Sequence, residues 1–381
     1  MNRTAEQQLQ RWKLVADFKE RLEAVWSSAT VDRTWTDSKR KLQVADYLSL
    51  FLFGLFNPAV RTMQGLCSAS RLPRVQQEIC SQPVSLGSFS EAQHLLDPVL
   101  LEKIFLQLQQ EGQTKLPQTE RRWLIQDSTL WHVLPQMHWA LWRHQHKTQR
   151  AIRLHVSLQV FDQLPSKVTV TEGRKCERRV WKDKWKPGEA YIGDAYFGQD
   201  YGLLDELSQI GSSYVVRVRE DVALQVEQEL PLRPEDLQAN VIGQAWVRLG
   251  SPSRYQSQRM RLVRVQTPKQ VLLLVTNLNP EQLSAQLVAE LYRRRWQVEL
   301  FFRWIKCILG CRHWLAQSPE GVAIQIYLAL IGAALLQFYT ERRPTRRMME
   351  LLWFYTVGMA TADDLEAALK REKARLQPKM S

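Results

Sequence analysis

The chain has 381 residues, 45% of them hydrophobic, 24% charged and 9% aromatic, a mixture that excludes a disordered or low-complexity polypeptide. Fifty-two Lys and Arg against 39 Asp and Glu leave a formal charge of +13, which turns the search for a partner towards polyanions and puts nucleic acid first. Five cysteines, odd in number and unevenly spaced, fit a reducing cytoplasm better than a disulfide framework.

From residue 5 to 110 apolar residues recur at helical spacing, as in Trp12, Val15, Phe18, Leu22 and Val25, with breaks at Asn57-Pro58 and Asp97-Pro98. An all-helical N-terminal region is expected. Its polar first residues, Met1 to Gln8, carry no apolar h-region, so no secretory signal is expected. After Pro117 the period changes, and Trp123 to Ile125, Leu154 to Phe161 and Lys167 to Thr171 read as strands. A helix (Cys176 to Trp185), a strand (Ala190 to Gly193), a helix (Leu203 to Ile210) and a strand (Tyr214 to Val218) follow. Between 220 and 275 alternation returns, with strands expected at Val241-Ile242, Ala245 to Leu249, Arg259 to Val265 and Val271 to Val275. One long helix is then expected from Ser284 to Leu309, and helices to the end. Val322 to Tyr339 is apolar, but Gln325 and Gln337 interrupt it, so it reads as a buried helix and no membrane partner is expected.

The long helix carries Tyr292, Arg295, Glu299 and Lys306, spaced Y-x2-R-x3-E-x6-K. At about 100° per residue all four fall within an arc of roughly 60°. Beside that stripe Leu287, Leu291, Val298, Phe301, Ile305 and Leu309 form an apolar face that can dock the helix on a core. The same charges would also suit a solvated helix face. Two other carboxylates bear on the choice: Asp127 follows the first strand and Asp194 the fourth. Strand-end carboxylates beside a helical Glu can converge on two divalent cations about 3.5 to 4 Å apart, the arrangement that serves in-line displacement at phosphorus. Hard oxygen donors of this kind suit Mg²⁺. Taken singly, either Asp could instead be a turn or cap residue.

The stripe, Asp127-Ser128-Thr129 after a first strand and Asp194 after a fourth together resemble the insertion-sequence DDE transposases of the IS-four type, to which the Tn-five transposase is similar. Four fixed letters at fixed spacing arise by chance in about two chains per thousand of this length. The resemblance implies an α/β fold with an RNase-H-like catalytic core. Its first part would span 116–219 and its final helix 279–315, interrupted by a β-rich insertion at 220–278. A helical DNA-binding region (1–115) would precede it and a helical region (316–381) follow. The implied reaction is cleavage at transposon ends and strand transfer, by a cut-and-paste route through a hairpin, with two Mg²⁺ ions for which Mn²⁺ can substitute. Asp127, Asp194 and Glu299 match the catalytic and metal-binding triad. Tyr292, Arg295 and Lys306 match residues that handle end phosphates and a flipped base. Double-stranded DNA, as inverted repeats and target, and a second copy in a homodimeric synaptic complex are the implied partners, at the nucleoid in a prokaryotic cytoplasm. One departure stands out: after Asp194 the family has Arg-Gly-Tyr, and this chain has Ala195-Tyr196-Phe197. The rival reading is a domesticated or inactive relative that binds particular DNA sequences without cutting; a lost carboxylate would mark it, and all three are present.

Charge is uneven along the chain. No acidic residue lies between Asp236 and Glu281, whereas Arg248, Arg254, Arg259, Arg261, Arg264 and Lys269 do. Arg259, Arg261 and Arg264 on one strand are expected to track a phosphate backbone, although an exposed sheet face carries Arg for solvation too. Trp246, the only Trp between Trp185 and Trp296, is singled out as an aromatic platform for an extruded base. A second acid-free stretch, Leu130 to Phe161, holds Arg143, Lys147, Arg150 and Arg153 and is expected to line the same DNA path. Five histidines there, and Cys307-x3-Cys311-x-His313, match no standard zinc pattern.

Overall fold

The computed structural model describes residues 13–28, 41–57, 59–113, 122–132, 137–144, 147–161, 164–253, 255–307, 314–340, 345–356 and 359–376. Arg254, Leu309, Cys311 and His313 lie outside them. The chain divides into two compact units, one drawn mainly from residues up to 114 and from 303 onwards, the other from 115–132 and 140–302.

The first unit opens with α1 (Lys13–Ser28), which buries Val15, Phe18, Leu22 and Val25 along one stripe. α2 (Val44–Phe56) is apolar on almost every face and correspondingly buried. Short helices follow, α3 (Met63–Ala69) capped by the Thr62 hydroxyl, α4 (Pro73–Glu78) opened by a proline, and α5 (Leu86–Leu95) capped by Ser85, before α6 (Val99–Gln113).

The second unit is built on an 11-stranded sheet. Its strands and helices run β1 (Arg122–His132), β2 (Leu141–His144), β3 (Lys147–Gln159), β4 (Pro165–Glu172), α7 (Glu177–Lys182), β5 (Glu189–Gly193), α8 (Tyr201–Gln209) and β6 (Ser213–Val218). There follow β7 (Leu224–Leu230), α9 (Pro234–Gln238), β8 (Val241–Ser251), β9 (Tyr255–Gln256), β10 (Met260–Gln266) and β11 (Val271–Thr276), then α10 (Ala285–Arg294) and α11 (Trp296–Cys307). The rest of the helical unit is α12 (Pro319–Thr340), α13 (Arg346–Thr356) and α14 (Ala362–Leu376).

β1, β3 and β4 pair antiparallel, whereas β1, β5 and β6 pair parallel, giving the order β4-β3-β1-β5-β6. β11 then joins β6 antiparallel, so the strands between residues 224 and 276 continue this sheet. One face is covered by Trp181, Trp185, Leu203, Leu204 and Leu207 packed on Tyr214, Val216, Ala245, Val247 and Leu262. On α10, Val288, Ala289 and Leu291 are buried, and this helix lies against β6, β8 and β10.

The helix expected from Ser284 to Leu309 is divided at Arg295, where the bonds tighten to i→i−3: Arg295 N–H donates to the Tyr292 carbonyl (3.0 Å) and Val298 N–H to that of Arg295 (3.2 Å). α12 is long and apolar enough to cross a membrane, but 83% of its apolar window is buried in the fold. Its interrupting Gln325 is itself buried and accepts from the Leu315 N–H (3.0 Å).

Candidate active site

The parallel pairing of β1 with β5 matches Ile125 with Ile192. Carrying that register two residues onward sets Asp127 level with Asp194, on strands about 4.8 Å apart. Each is fixed locally. Asp127 Oδ1 accepts from the Ser128 N–H (2.7 Å), and Asp194 Oδ1 accepts from the Tyr196 N–H (2.9 Å), closing a turn. The turn after Asp194 is pressed on β6 by Gly198, where a Cβ would stand 2.1 Å from the Arg217 carbonyl oxygen. The departure from the family pattern lies in this turn: Phe197 is buried beside Gly193, while exposed Tyr196 stacks under the Arg178 guanidinium at 4.0 Å.

Arg295, at the helix division, ties the third carboxylate to the first. Its Nη2 donates to Glu299 Oε1 (2.6 Å) and its Nη1 to Asp127 Oδ2 (3.4 Å). Burial works against its charge, but Glu299, Tyr292 and Asp127 outweigh that and raise its pKa. Tyr292 is nearly buried and held above its ordinary pKa by burial, with Asp194 adding to it and Arg295 and Arg217 opposing. Lys306 lies seven residues beyond Glu299 on α11 and belongs to the other compact unit.

Burial pushes the Asp127 carboxyl up to about 6; its bond to Ser128 and the charge of Arg295 oppose this, while Asp194 and Glu299 reinforce it. A fourth carboxylate stands with these and was not singled out in the sequence. Glu177, in the first turn of α7, is pushed up to about 7 by burial and by the charges of Asp127 and Asp194, against a hydrogen bond from Ser128 and the charge of Arg153. Glu177 Oε1 is buried with no hydrogen-bond partner. Only an acidic residue at a helix start marked it, which helix-dipole preference explains equally well.

As these side chains are placed, no three His, Cys, Asp or Glu among the described residues are grouped to hold a metal ion. The guanidinium of Arg295 bridges two of the carboxylates. The donor chemistry nevertheless fits a hard divalent cation: the groups are carboxylate oxygens, and the buried, unpartnered Glu177 Oε1 is one that a cation would satisfy.

The proposed DNA-contacting arginines divide on inspection. Arg261 is 0% exposed: it donates to Gln244 Oε1 (3.3 Å) and the Leu283 carbonyl (2.5 Å), and burial lowers its pKa to about 10. It is a core residue, so its assignment to a phosphate-tracking surface is corrected. Arg259 and Arg264 do lie at the surface, but β7 supplies acids opposite them. Glu227 pairs with Arg248 (2.6 Å) and Arg259 (3.0 Å), and Glu229 with Arg264 (3.3 Å). The one-signed stretch in sequence is therefore partly neutralised in space. Trp246 faces away from the cluster that takes Ala245 and Val247, is half-exposed, and lies under the Arg259 guanidinium at 4.6 Å. In the second basic stretch, Arg153 turns inward to Ser128 Oγ (3.0 Å) and the Gly173 carbonyl (3.3 Å). His155 is wholly buried and neutral, its pKa lowered to about 3 by burial with help from Arg153 and Lys184.

Residues 118–335, more than half of the chain, match the family model described as a transposase DDE domain. A Sinorhizobium fredii protein named as a transposase, y4zB, is 27% identical over 217 residues, covering 56% of this chain and 60% of its own length. The protein named as transposase for insertion sequence element IS5377 of Geobacillus stearothermophilus is 26% identical, covering 53% and 52%. The transposase for insertion sequence element IS421 of Escherichia coli is 38% identical over 65 residues, 17% of this chain and 18% of that one. The chain thus spans between half and two thirds of the length of the first two relatives. Among solved structures, a piggyBac transposase synaptic complex with hairpin DNA aligns over 91% of this chain and 79% of its own, at 13% identity and a TM-score of 0.43. On the match across residues 118–335, the chain belongs to the family of insertion-sequence transposases that carry the DDE domain.

Proposed function

We propose that the chain is a DNA transposase that cuts phosphodiester bonds at the ends of its own element and joins them to target DNA in a Mg²⁺-dependent reaction. The observation that carries this reading is the level placement of Asp127, inside β1, and Asp194, just past the end of the parallel strand β5, with Glu299 tied to Asp127 through Arg295. The order β4-β3-β1-β5-β6, antiparallel then parallel, supports an RNase-H-like core, with residues 220–278 as its insertion. Asp127, Asp194 and Glu299 would hold the cations. A divalent cation held by them would supply Lewis-acid activation of the attacking oxygen and charge stabilisation of the leaving one.

The remaining steps belong to the chain itself. Arg295 and Lys306 are cations and repel Mg²⁺, so their role is to hold phosphate. Tyr292 can donate its hydroxyl to the same strand. A cut-and-paste route through a hairpin requires a base to leave the stack, and Trp246 with Arg259 offers it an aromatic face. Two ends must be cut together, so a homodimer on double-stranded DNA is the proposed working form.

The test is cleavage of end DNA in Mg²⁺ by Asp127→Asn, Asp194→Asn and Glu299→Gln. Each should bind DNA and fail to nick it, because losing a ligand charge weakens metal capture more than protein–DNA contact. Nicking at the wild-type rate by any one of them removes that residue from the site.

A further inference from the structure

We propose that Glu177 is a fourth carboxylate of the same centre, its Oε1 supplying a further oxygen to the divalent cation held by Asp127 and Asp194. This rests on the metal-dependent reading above. The start of α7 is held at the turn after Asp194, because Arg178, next to Glu177 in the chain, donates its Nε–H to the Tyr196 carbonyl (3.0 Å), while the Tyr196 N–H donates to Asp194 Oδ1 (2.9 Å); from β1, Ser128 acts on the Glu177 carboxylate and its hydroxyl accepts from Arg153 Nη1 (3.0 Å). Glu177 Oε1 is buried and unpartnered.

Among the described residues, Oε1 has no hydrogen-bond partner, and the two arginines that act on these carboxylates are engaged elsewhere. Arg153 spends its guanidinium on Ser128 and the Gly173 carbonyl, and Arg295 spends its own on Asp127 and Glu299. Asp127 and Asp194 act on Glu177, and Asp194 and Glu299 act on Asp127, a concentration of carboxylate oxygens that a divalent cation would offset. Buried carboxylates without a counter-ion are expensive, and proteins keep them where an ion arrives.

The test is the affinity of the full chain for Mg²⁺, and in parallel Mn²⁺, read as thermal stabilisation across a metal titration without DNA. Glu177→Gln should melt no lower than wild type in chelator yet need on the order of 10-fold or more metal for the same stabilisation. Glu177→Asp keeps the charge on a shorter stem and should fall between the two, and it serves in place of Glu177→Gln should that variant not fold. Ser128→Ala, which frees the carboxylate, should weaken metal binding several-fold. Asp127→Asn is the control. If it loses metal binding while Glu177→Gln and Glu177→Asp titrate like wild type, Glu177 is not part of the centre, although the reading above stands. If wild type itself shows no stabilisation by either metal, both fail.

Discussion

Asp127→Asn should make the metal-free protein more stable. Burial, reinforced by Asp194 and Glu299, holds the Asp127 carboxyl at about 6 against an ordinary 3.8, and its side chain is only 20% exposed. A carboxyl that keeps its proton more tightly folded than unfolded gives stability at low pH that is lost as pH rises from about 4 through about 6. Between 3.8 and about 6, at 1.36 kcal/mol for each tenfold change in proton affinity, that loss is up to about 3 kcal/mol. Asn retains an oxygen for the Ser128 N–H and cannot ionise. The variant should therefore exceed wild type by up to about 3 kcal/mol at pH 7 in chelator, with the gap closing below about pH 4. The assay is urea unfolding of both proteins at several pH values. The difference between them is diagnostic, whereas either curve alone is not. Buried His155, with its pKa at about 3, adds the opposite slope, since its neutral form is favoured in the fold and stability falls as pH drops below 6.5. Added Mg²⁺ should reverse the gap by stabilising wild type alone. A variant less stable than wild type at pH 7, or a gap that ignores pH, would refute the account of Asp127 as a charge the fold holds at a cost.

Trp246→Ala should nick the first strand normally and accumulate nicked product without hairpin on end DNA; an unchanged hairpin yield would return Trp246 to ordinary surface. Salt dependence of DNA binding separates the arginines. Arg264→Ala should flatten the plot of log affinity against log salt by about one phosphate, and Glu227→Gln, which releases Arg248 and Arg259, should steepen it. Arg261→Ala should leave that slope alone and lower stability by roughly 2 to 5 kcal/mol, because Gln244 and the Leu283 carbonyl lose a buried donor. A slope change from Arg261→Ala without loss of stability would restore it to the surface.

The elements were legible where one period dominated. The helical stripe from Val15 to Val25, and the alternation of Ala245, Val247 and Leu249 on β8, are each set by a single buried face, and periodicity reports that directly. β7 was missed because it is an edge strand with both faces largely exposed, so nothing in Leu224–Leu230 alternates with burial. That omission also misplaced the charge. A run of residues without acids looked one-signed, yet antiparallel pairing lays Glu227 and Glu229 of β7 beside the arginines of β8 and β10. Arg261 escaped for a related reason. A strand position alternates between faces, but sequence does not say that a helix such as α10 covers the second face, and under that cover the position is core.

The candidate site shows the same boundary between what spacing reveals and what only contact reveals. Asp194, Arg295 and Glu299 could be picked out because each sits at a strand end or on a helix stripe where geometry fixes direction, whereas Asp127, expected to follow a short first strand, lies inside β1, which runs on to His132. Arg295 was read as a cation facing phosphate, and the structure adds that it bridges Asp127 and Glu299, a contact made possible by the tightened turn that divides α10 from α11. Glu177 had no such signature. Its environment is assembled from β1 through Ser128 and from β3 through Arg153, segments 49 and 24 residues away, and nothing in Cys176-Glu177-Arg178-Arg179 distinguishes it from an acid placed to suit a helix start. The residues that sequence identifies in such a site are therefore those held by regular elements, whereas those recruited by side-chain hydrogen bonds across the fold become visible only when the sheet is assembled.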